Sequence, residues 1–382
     1  MNILIQKINE MNKLKDIKFL DLKKINLSKK AEMVSAFEAF LNSGWYVLGK
    51  QVEEFEKEYS DFSKTKYSIG VANGLDALII SLKCLEIGHG DEVIVPSNTY
   101  IATWLAVSAC GAKPVPVEPK IDTYNINPSL ITSKINKNTK AVLAVNLYGQ
   151  SAELKEIKNI CDDNNIFLIE DNAQAQGAKC NGELTGSFGI INGTSFYPGK
   201  NLGALGDAGA ITTDNNDLFL KAKILRNYGS EKKYYNIIQG HNSRLDELQA
   251  SFLRVKLKSL NDQNLKRQEI ASIYKKQLIG VGDIILPKEA KDCTSVFHLF
   301  VIRTKSRNEL LNYLKNNNIE TMIHYPIPPS LQNAYKELNF KKGDFPIAEL
   351  IADSSLSLPI GPHLNFGEVE YVCEIIKIFF NK

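Results

Sequence analysis

Residues 140–173 read KAVLAVNLYGQSAELKEIKNICDDNNIFLIEDNA. The stretch opens on an apolar run, KAVLAVNLYG. It passes through a helical pattern, SAELKEIKNICDDNN, with Ser151 as its candidate cap, and returns to a second apolar run, NIFLIEDNA. The runs are continuous rather than alternating, as expected of strands covered on both faces. Working outward, the same alternation extends from about Gly70 to Thr213. DEVIVPS, KPVPVEP, GTSFYP and GAITT read as further strands, and GLDALIISLKCLEIG as a helix ending at a glycine stop. Alternating strands and helices imply an α/β class fold with a mainly parallel sheet flanked by helices. Ligands of such sheets sit beyond the carboxyl ends of the strands.

After about Gly240 the pattern changes. SRLDELQASFLRVKLKSLNDQNLKRQEIASIYKKQL is one long amphipathic helical stretch, followed by strand-like TSVFHLFVIRT and IETMIHYP and a closing GEVEYVCEIIKIFF. The expected division is a large domain over 1–240 and a smaller C-terminal α+β domain over 241–382. There is no internal repeat and no low-complexity segment.

The chain has 382 residues, 44% hydrophobic and 23% charged, which is ample apolar mass for a large core. A formal net charge of +3 without a long basic run argues against a nucleic-acid partner. The lysine-rich start, Lys13 to Lys30, is interleaved with apolar residues and reads as a solvated helix face or loop. Six widely spaced cysteines lack any C-x-x-C, and five histidines lack ligand spacing, so neither a disulfide framework nor a metal site is expected. MNILIQKINE is too short an apolar run for a signal peptide, and no stretch is long enough to span a bilayer. The expectation is a cytoplasmic protein with no membrane partner.

The chemistry centres on SFYPGKNLGALGDAGA, residues 195–210, where Lys200 stands between glycines. A phosphate-binding P-loop needs G-x-x-x-x-G-K-[ST]; here Gly193 and Gly199 enclose five residues and Asn201 follows the lysine, so spacing and chemistry both fail. A lysine amine can instead form a Schiff base with an aldehyde, and small neighbours let a flat cofactor approach. Pyridoxal phosphate additionally needs an acid for its ring nitrogen and donors for its phosphate. FLIEDNAQAQGA supplies Glu170 and Asp171 at a strand's carboxyl end, where an acid either meets a ligand or caps a turn. VANGLDALIISL places Asn73-Gly74 before a helix, either as a phosphate cradle using the Gly74 and Leu75 amides or as a plain turn.

Together, ANGLDAL, PSNTYIAT, EDNAQAQGA, SFYPGKNLGALGDAGA and HNSRLDELQA resemble the sugar-nucleotide aminotransferases of the DegT/DnrJ/EryC1/StrS type. The resemblance runs from GWYVLGKQVEEFEKEYSDF to HYPIPPSLQNAY, nearly the whole chain. It implies a type I (aspartate) aminotransferase fold, a homodimer and pyridoxal 5'-phosphate. It makes Lys200 the catalytic Schiff-base lysine, Asp171 the partner of the pyridine nitrogen and Gln174 the ligand of the ring hydroxyl. Ser195 becomes a phosphate ligand, Gly74 and Leu75 the amide cradle, and Tyr100 the aromatic on the ring, unless it is core. Asn242 becomes a phosphate ligand given across the dimer interface, or else the cap of the long helix. Arg244, His324 and Tyr325 fall where substrate would sit.

Many members of this family carry threonine where this chain has Leu75. Members that aminate carbon 3 of a dTDP-sugar resemble it there and in PGKNLGALGD and HYPIPP. The resemblance thus implies a dTDP-3-keto-6-deoxyhexose as substrate and glutamate as amino donor. The alternatives are a 4-aminotransferase for a UDP-, GDP- or dTDP-4-keto sugar, a non-catalytic cofactor-binding regulator, and an unrelated Schiff-base enzyme such as an aldolase. Some relatives carry histidine in place of the lysine and dehydrate their substrate; Lys200 favours transamination.

Overall fold

The computed structural model describes residues 16–381. MNILIQKINE, Lys13 and Lys15 lie outside the described residues. The rest of the lysine-rich start is surface: Lys18, Lys23, Lys24 and Lys30 are exposed, and Asp21 caps the short helix Leu22–Leu27 by accepting from the Lys24 N–H.

A seven-stranded sheet forms the centre. Its strands are β1 (Tyr67–Val71), β2 (Glu92–Pro96), β3 (Lys113–Val117), β4 (Thr139–Val145), β5 (Phe167–Asp171), β8 (Ile191–Ser195) and β9 (Gly209–Thr213). The order is β1-β9-β8-β5-β4-β2-β3. Two-residue strands β6 (Lys179–Cys180) and β7 (Glu183–Leu184) form a separate small ribbon. Every pair from β8 to β3 is parallel, and β9 runs antiparallel to both of its neighbours. The strand interiors are fully buried, which is why β2, β4 and β5 read as unbroken apolar runs.

The 140–173 stretch folds as read, with one difference. Its helix is Leu154–Asp163, and Ser151 is no cap: the Ser151 hydroxyl donates to the Ala152 carbonyl. The helix Gly74–Cys84 lies against β8 and β9. It comes close at Gly193, where a Cβ would lie within 2.7 Å of the Leu78 side chain. Any larger residue there would push the helix, and the pocket it helps to build, off the sheet.

The smaller unit packs the helices Leu260–Leu278 and Phe366–Phe380 against each other beside a two-stranded ribbon, Phe300–Arg303 with Ser355–Leu358. Its core includes Tyr274, Phe300, Leu310 and Val372. Ile17 joins that core and donates its N–H to the Asn318 carbonyl. The long amphipathic stretch is two helices. Glu247–Leu257 packs on Lys50–Ser63, within the core around Phe55 and Phe196. The helix just past residue 240 thus packs with the large unit. TSVFHLFVIRT is strand only from Phe300, and IETMIHYP contributes only isolated bridges, Ile319 to Ile17 and Met322 to Ser357.

Candidate active site

The parallel strands β1, β2, β4, β5 and β8 all end at one cavity of about 770 Å³, reached by Gly74, Tyr100, Val145, Asp171 and Ser195. Lys200 enters it from the loop after β8, and His324 and Tyr325 close it from the smaller unit. This is the position that a parallel sheet dictates, because the turns beyond the carboxyl ends are free to carry function.

Asp171 is the last residue of β5. Its carboxylate accepts from the Thr103 hydroxyl at 2.9 Å and from the Ala173 N–H at 3.1 Å. Burial raises its pKa, against the pull of those donors and of Lys200. Glu170, one residue earlier, faces the opposite way. It accepts from the N–H groups of Gly186, Phe188 and Gly189 and from the Asn146 amide. Of the two acids, then, Glu170 ties down a loop and Asp171 faces the cavity.

Burial holds the Lys200 amine down to about 8 from its ordinary 10.5, with Asp171 pulling the other way. An amine so placed still carries its proton below pH 8 but gives it up far more readily than an ordinary lysine, and the neutral form is the one that reacts with a carbonyl or takes a proton. Gln174 is fixed at both ends of its amide. Oε1 accepts from the Tyr148 N–H at 2.7 Å, and Nε2 donates to the Tyr325 hydroxyl at 3.0 Å.

Beyond β1, Asn73 caps the helix Gly74–Cys84 by accepting from the Asp76 N–H at 2.8 Å, and the Ala77 N–H returns to the Asn73 carbonyl. The Gly74 and Leu75 N–H groups are left over by the helix itself. Ser195 lies alongside: a Cβ on Gly74 would sit 2.5 Å from the Ser195 Cβ. The Ser195 hydroxyl also accepts from the Tyr197 N–H at 3.2 Å, so it finishes the strand as well as facing the cavity. A helix start with spare amides next to a hydroxyl suits a phosphate. A buried carboxylate suits a ring cation, and a lysine that gives up its proton readily suits an aldehyde. The donor set matches the cofactor that the sequence resemblance implies.

Tyr100 is 52% exposed, so it is no core residue; its ring centroid is 5.2 Å from that of Tyr325. Leu75 lines the cavity and packs on the core beneath. The His324 ring bonds the Ser357 hydroxyl at 2.8 Å, and burial together with Lys200 holds its pKa down to about 4, so the ring is neutral.

Two expected residues are not brought to this cavity. Asn242 is exposed, pairs its backbone with Asn227 and caps no helix; Asp246 holds the N-cap position instead. Arg244 donates to the Asn227 side chain at 3.2 Å and lies over the Tyr228 ring. Conversely, the cavity contains residues that the sequence reading passed over. Thr103 orients Asp171. His298, held neutral by burial, lines the cavity near Lys200, and Phe19 stacks on His324 at 5.8 Å. Thr103 follows Thr99 by one helical turn, with the hydroxyls 2.9 Å apart, a spacing the sequence does display. Phe19 and His298 carry no comparable signal.

The chain resembles known proteins along almost its whole length. The chain is 51% identical, over 94% of its length and 99% of the other, to the dTDP-3-amino-3,6-dideoxy-alpha-D-galactopyranose transaminase of Aneurinibacillus thermoaerophilus. It is 44% identical to the dTDP-3-amino-3,4,6-trideoxy-alpha-D-glucose transaminase of Streptomyces venezuelae, over 94% of this chain and 95% of that one. The crystal structure of S. venezuelae DesV in complex with a ketimine intermediate superposes with a TM-score of 0.95 at 43% identity, covering 97% of this chain and all of that one. Residues 27–377 match one family over nearly the whole fold. The chain belongs to the DegT/DnrJ/EryC1/StrS aminotransferase family.

Proposed function

We propose that the protein uses pyridoxal phosphate to transfer an amino group from glutamate to carbon 3 of a dTDP-linked 3-keto-6-deoxyhexose. The observation that carries the reading is the convergence of Lys200, Asp171, Gln174, Ser195 and Gly74 on one cavity. The choice of sugar and nucleotide is supported by the two transaminases of dTDP-3-amino sugars that the chain resembles along almost its full length.

Pyridoxal phosphate, when bound, supplies an aldehyde that condenses with amines and a protonated ring that withdraws electrons from the neighbouring carbon. The Asp171 carboxylate, steadied by Thr103 and the Ala173 N–H, keeps the proton on the ring nitrogen. Gly74, Leu75 and Ser195 hold the phosphate, and Gln174 holds the ring hydroxyl. Tyr100 covers the ring. The Lys200 amine takes the proton from the α-carbon of glutamate; in the second half-reaction it gives one to the sugar carbon that receives nitrogen. His324 and Tyr325 bind substrate as neutral groups, and Arg244, which a single chain leaves outside the cavity, reaches substrate only from the second copy of the homodimer. Two substrates use one site in turn, so the kinetics are ping-pong.

The reading includes a homodimer in which Asn242 completes the phosphate site of the second copy. Its support is a set of exposed apolar side chains at Trp45, Tyr46 and Val47, and at Tyr228, Tyr234 and Ile237 on the segment leading to Asn242. No helix among the described residues is long and apolar enough to cross a membrane. With six free cysteines this supports a cytoplasmic setting.

The test is a spectral half-reaction on the purified enzyme loaded with pyridoxal phosphate. Glutamate should convert the aldehyde-form absorbance to the amine form. The dTDP-3-keto-6-deoxy sugar should restore it, and the 4-keto isomer should not. Recovery only with the 4-keto sugar would overturn the assignment of carbon 3; no response to glutamate would overturn the transamination.

A further inference from the structure

Cys180 and Cys293 are 113 positions apart in sequence, yet their sulfurs are 3.5 Å apart. Among the described residues no other two cysteine sulfurs are within bonding distance, and all six thiols are free. The two residues face each other across an antiparallel bridge between β6 and the segment Asp292–Thr294. The Asn181 N–H donates to the Asp292 carbonyl at 2.7 Å, and the Thr294 N–H to the Lys179 carbonyl at 2.8 Å. Those bonds flank the cysteines, which makes them a non-hydrogen-bonded pair, the site in an antiparallel ladder where Cα atoms and side chains come closest. That Cα separation falls within the disulfide range. Both thiols are buried, but Lys179, Asn181, Asp292 and Thr294 around them are exposed, so fraying of a very short ribbon opens the pair to small molecules.

We propose that Cys180 and Cys293 are a reversible oxidation site, forming a cross-strand disulfide with a peroxide as oxidant and a small dithiol as reductant. The Cys293 thiol donates to the Cys180 sulfur and so favours the Cys180 thiolate, holding its pKa below the usual thiol range. The Cys180 thiolate attacks the peroxide, breaking its O–O bond; the hydroxide released takes a proton and leaves as water. The Cys293 sulfur then attacks the sulfenic sulfur of Cys180. The S–O bond breaks, the thiol proton goes to the departing hydroxide, and a second water forms. In sum, two thiols lose two protons and two electrons, and one peroxide becomes two waters. A dithiol reverses the change by exchange and is itself oxidised.

Both arms of the ribbon lead to the active site. Gln174 lies six residues before Cys180, and His298 five residues after Cys293. Between them, Val296 donates to the Gly149 carbonyl at 2.8 Å and Leu299 to that of Tyr148 at 3.1 Å. A covalent link therefore clips the strip that runs beneath Tyr148, whose N–H positions Gln174. The inference stands on the thiol geometry and does not depend on the substrate assigned above.

The test treats the cofactor-loaded enzyme with hydrogen peroxide, unfolds it, alkylates free thiols and maps peptides. Free thiols should fall from six to four, with one cross-linked peptide pair containing Cys180 and Cys293, and dithiothreitol should restore six. Cys180→Ser should keep all five remaining thiols under the same treatment, whereas Cys293→Ser should form no cross-link and lose no thiol but that of Cys180, as a sulfenic acid that dithiothreitol reduces. In the oxidised wild-type enzyme, amide exchange at Asn181 and Thr294 should slow at least about tenfold, because the ribbon can no longer fray. Six free thiols after treatment, a bridge between other cysteines, thiol loss in Cys180→Ser, or unchanged exchange in the oxidised form would each overturn the proposal.

Discussion

Replacing Lys200 by methionine should make the cofactor-free protein more stable while abolishing transamination. The native amine titrates at about 8 against its ordinary 10.5, chiefly because burial disfavours the charge. The gap is worth about 3 kcal/mol at ~1.4 kcal/mol per unit. Below pH 8 both folded and unfolded chains hold the proton, and the whole penalty is present. Between 8 and 10.5 the folded amine is neutral while the unfolded one still binds a proton, so stability rises with pH; above 10.5 the penalty is gone. Lys200→Met removes the penalty at every pH and keeps an apolar stem of similar length. The variant also loses the cation that helps to hold Asp171 ionised, which offsets part of the gain. The net expectation is a stabilisation of about 2–3 kcal/mol at pH 7 that shrinks towards zero near pH 10.5. The assay is urea unfolding of both apoproteins at equal concentration and several pH values, read as the difference between them, in which all other titrating groups cancel. A variant no more stable at pH 7, or a difference independent of pH, would refute the account of Lys200 as a buried, destabilising amine.

Three further substitutions probe the rest of the site. Gly74→Ala sets a Cβ 2.5 Å from that of Ser195, so binding of pyridoxal phosphate to the apoenzyme, followed by absorbance, should weaken by at least about tenfold; unchanged affinity would place the phosphate elsewhere. Asp171→Asn cannot hold a proton on a ring nitrogen by charge, and kcat should drop by about 10³-fold or more in steady-state assays with the cofactor still bound. Thr103→Val removes the 2.9 Å hydroxyl bond to Asp171 without changing side-chain volume much. It should lower kcat/KM by about tenfold, the worth of one hydrogen bond to a charged group, and wild-type rates would show that Asp171 needs no such support.

The β–α alternation was legible because burial on both faces forces unbroken apolar runs, and those runs placed Asp171 and Ser195 on strands, while Gly74 was placed by the helix it opens. The direction of β9 was not: GAITT packs equally well either way, and only its pairing with β1 and β8 decides. IETMIHYP has the composition of a strand, but Met322 finds one partner and the chain then turns so that His324 and Tyr325 meet the cavity. Lys200 stood out by chemistry and Gln174 by the family resemblance. Phe19 and Leu20 did not, since an apolar side chain lining a ligand cavity has the same letters as one in a core. Their place follows from Ile17 docking beside Ile319, a contact some three hundred residues away in sequence. Asn242 and Arg244 were singled out by resemblance alone, and a single chain leaves both outside the cavity.

Why Asp171 and not Glu170 faces the cavity is a matter of register. Successive residues of a strand point to opposite faces, so two adjacent acids must part. β5 is pinned on both sides, with Asp171 opposite Val145 of β4 and Gly193 of β8. A slip by one residue would exchange the two acids, sending the short Asp171 towards a loop whose three N–H groups the longer Glu170 now reaches. Glu170 is therefore what holds the register that makes Asp171 useful. Glu170→Gln tests this. An amide offers one acceptor oxygen and turns an NH2 towards the Gly186, Phe188 and Gly189 donors. The expected cost is about 2–3 kcal/mol of stability in urea unfolding, from losing hydrogen bonds to a buried charge. If β5 keeps its register, the glutamate half-reaction of the folded fraction should be unchanged. A variant of full stability would mean that the 186–189 loop does not rely on the carboxylate. A stable variant with a dead half-reaction would mean that Glu170 acts at the cavity itself, against the alternation that places it on the far side of the sheet.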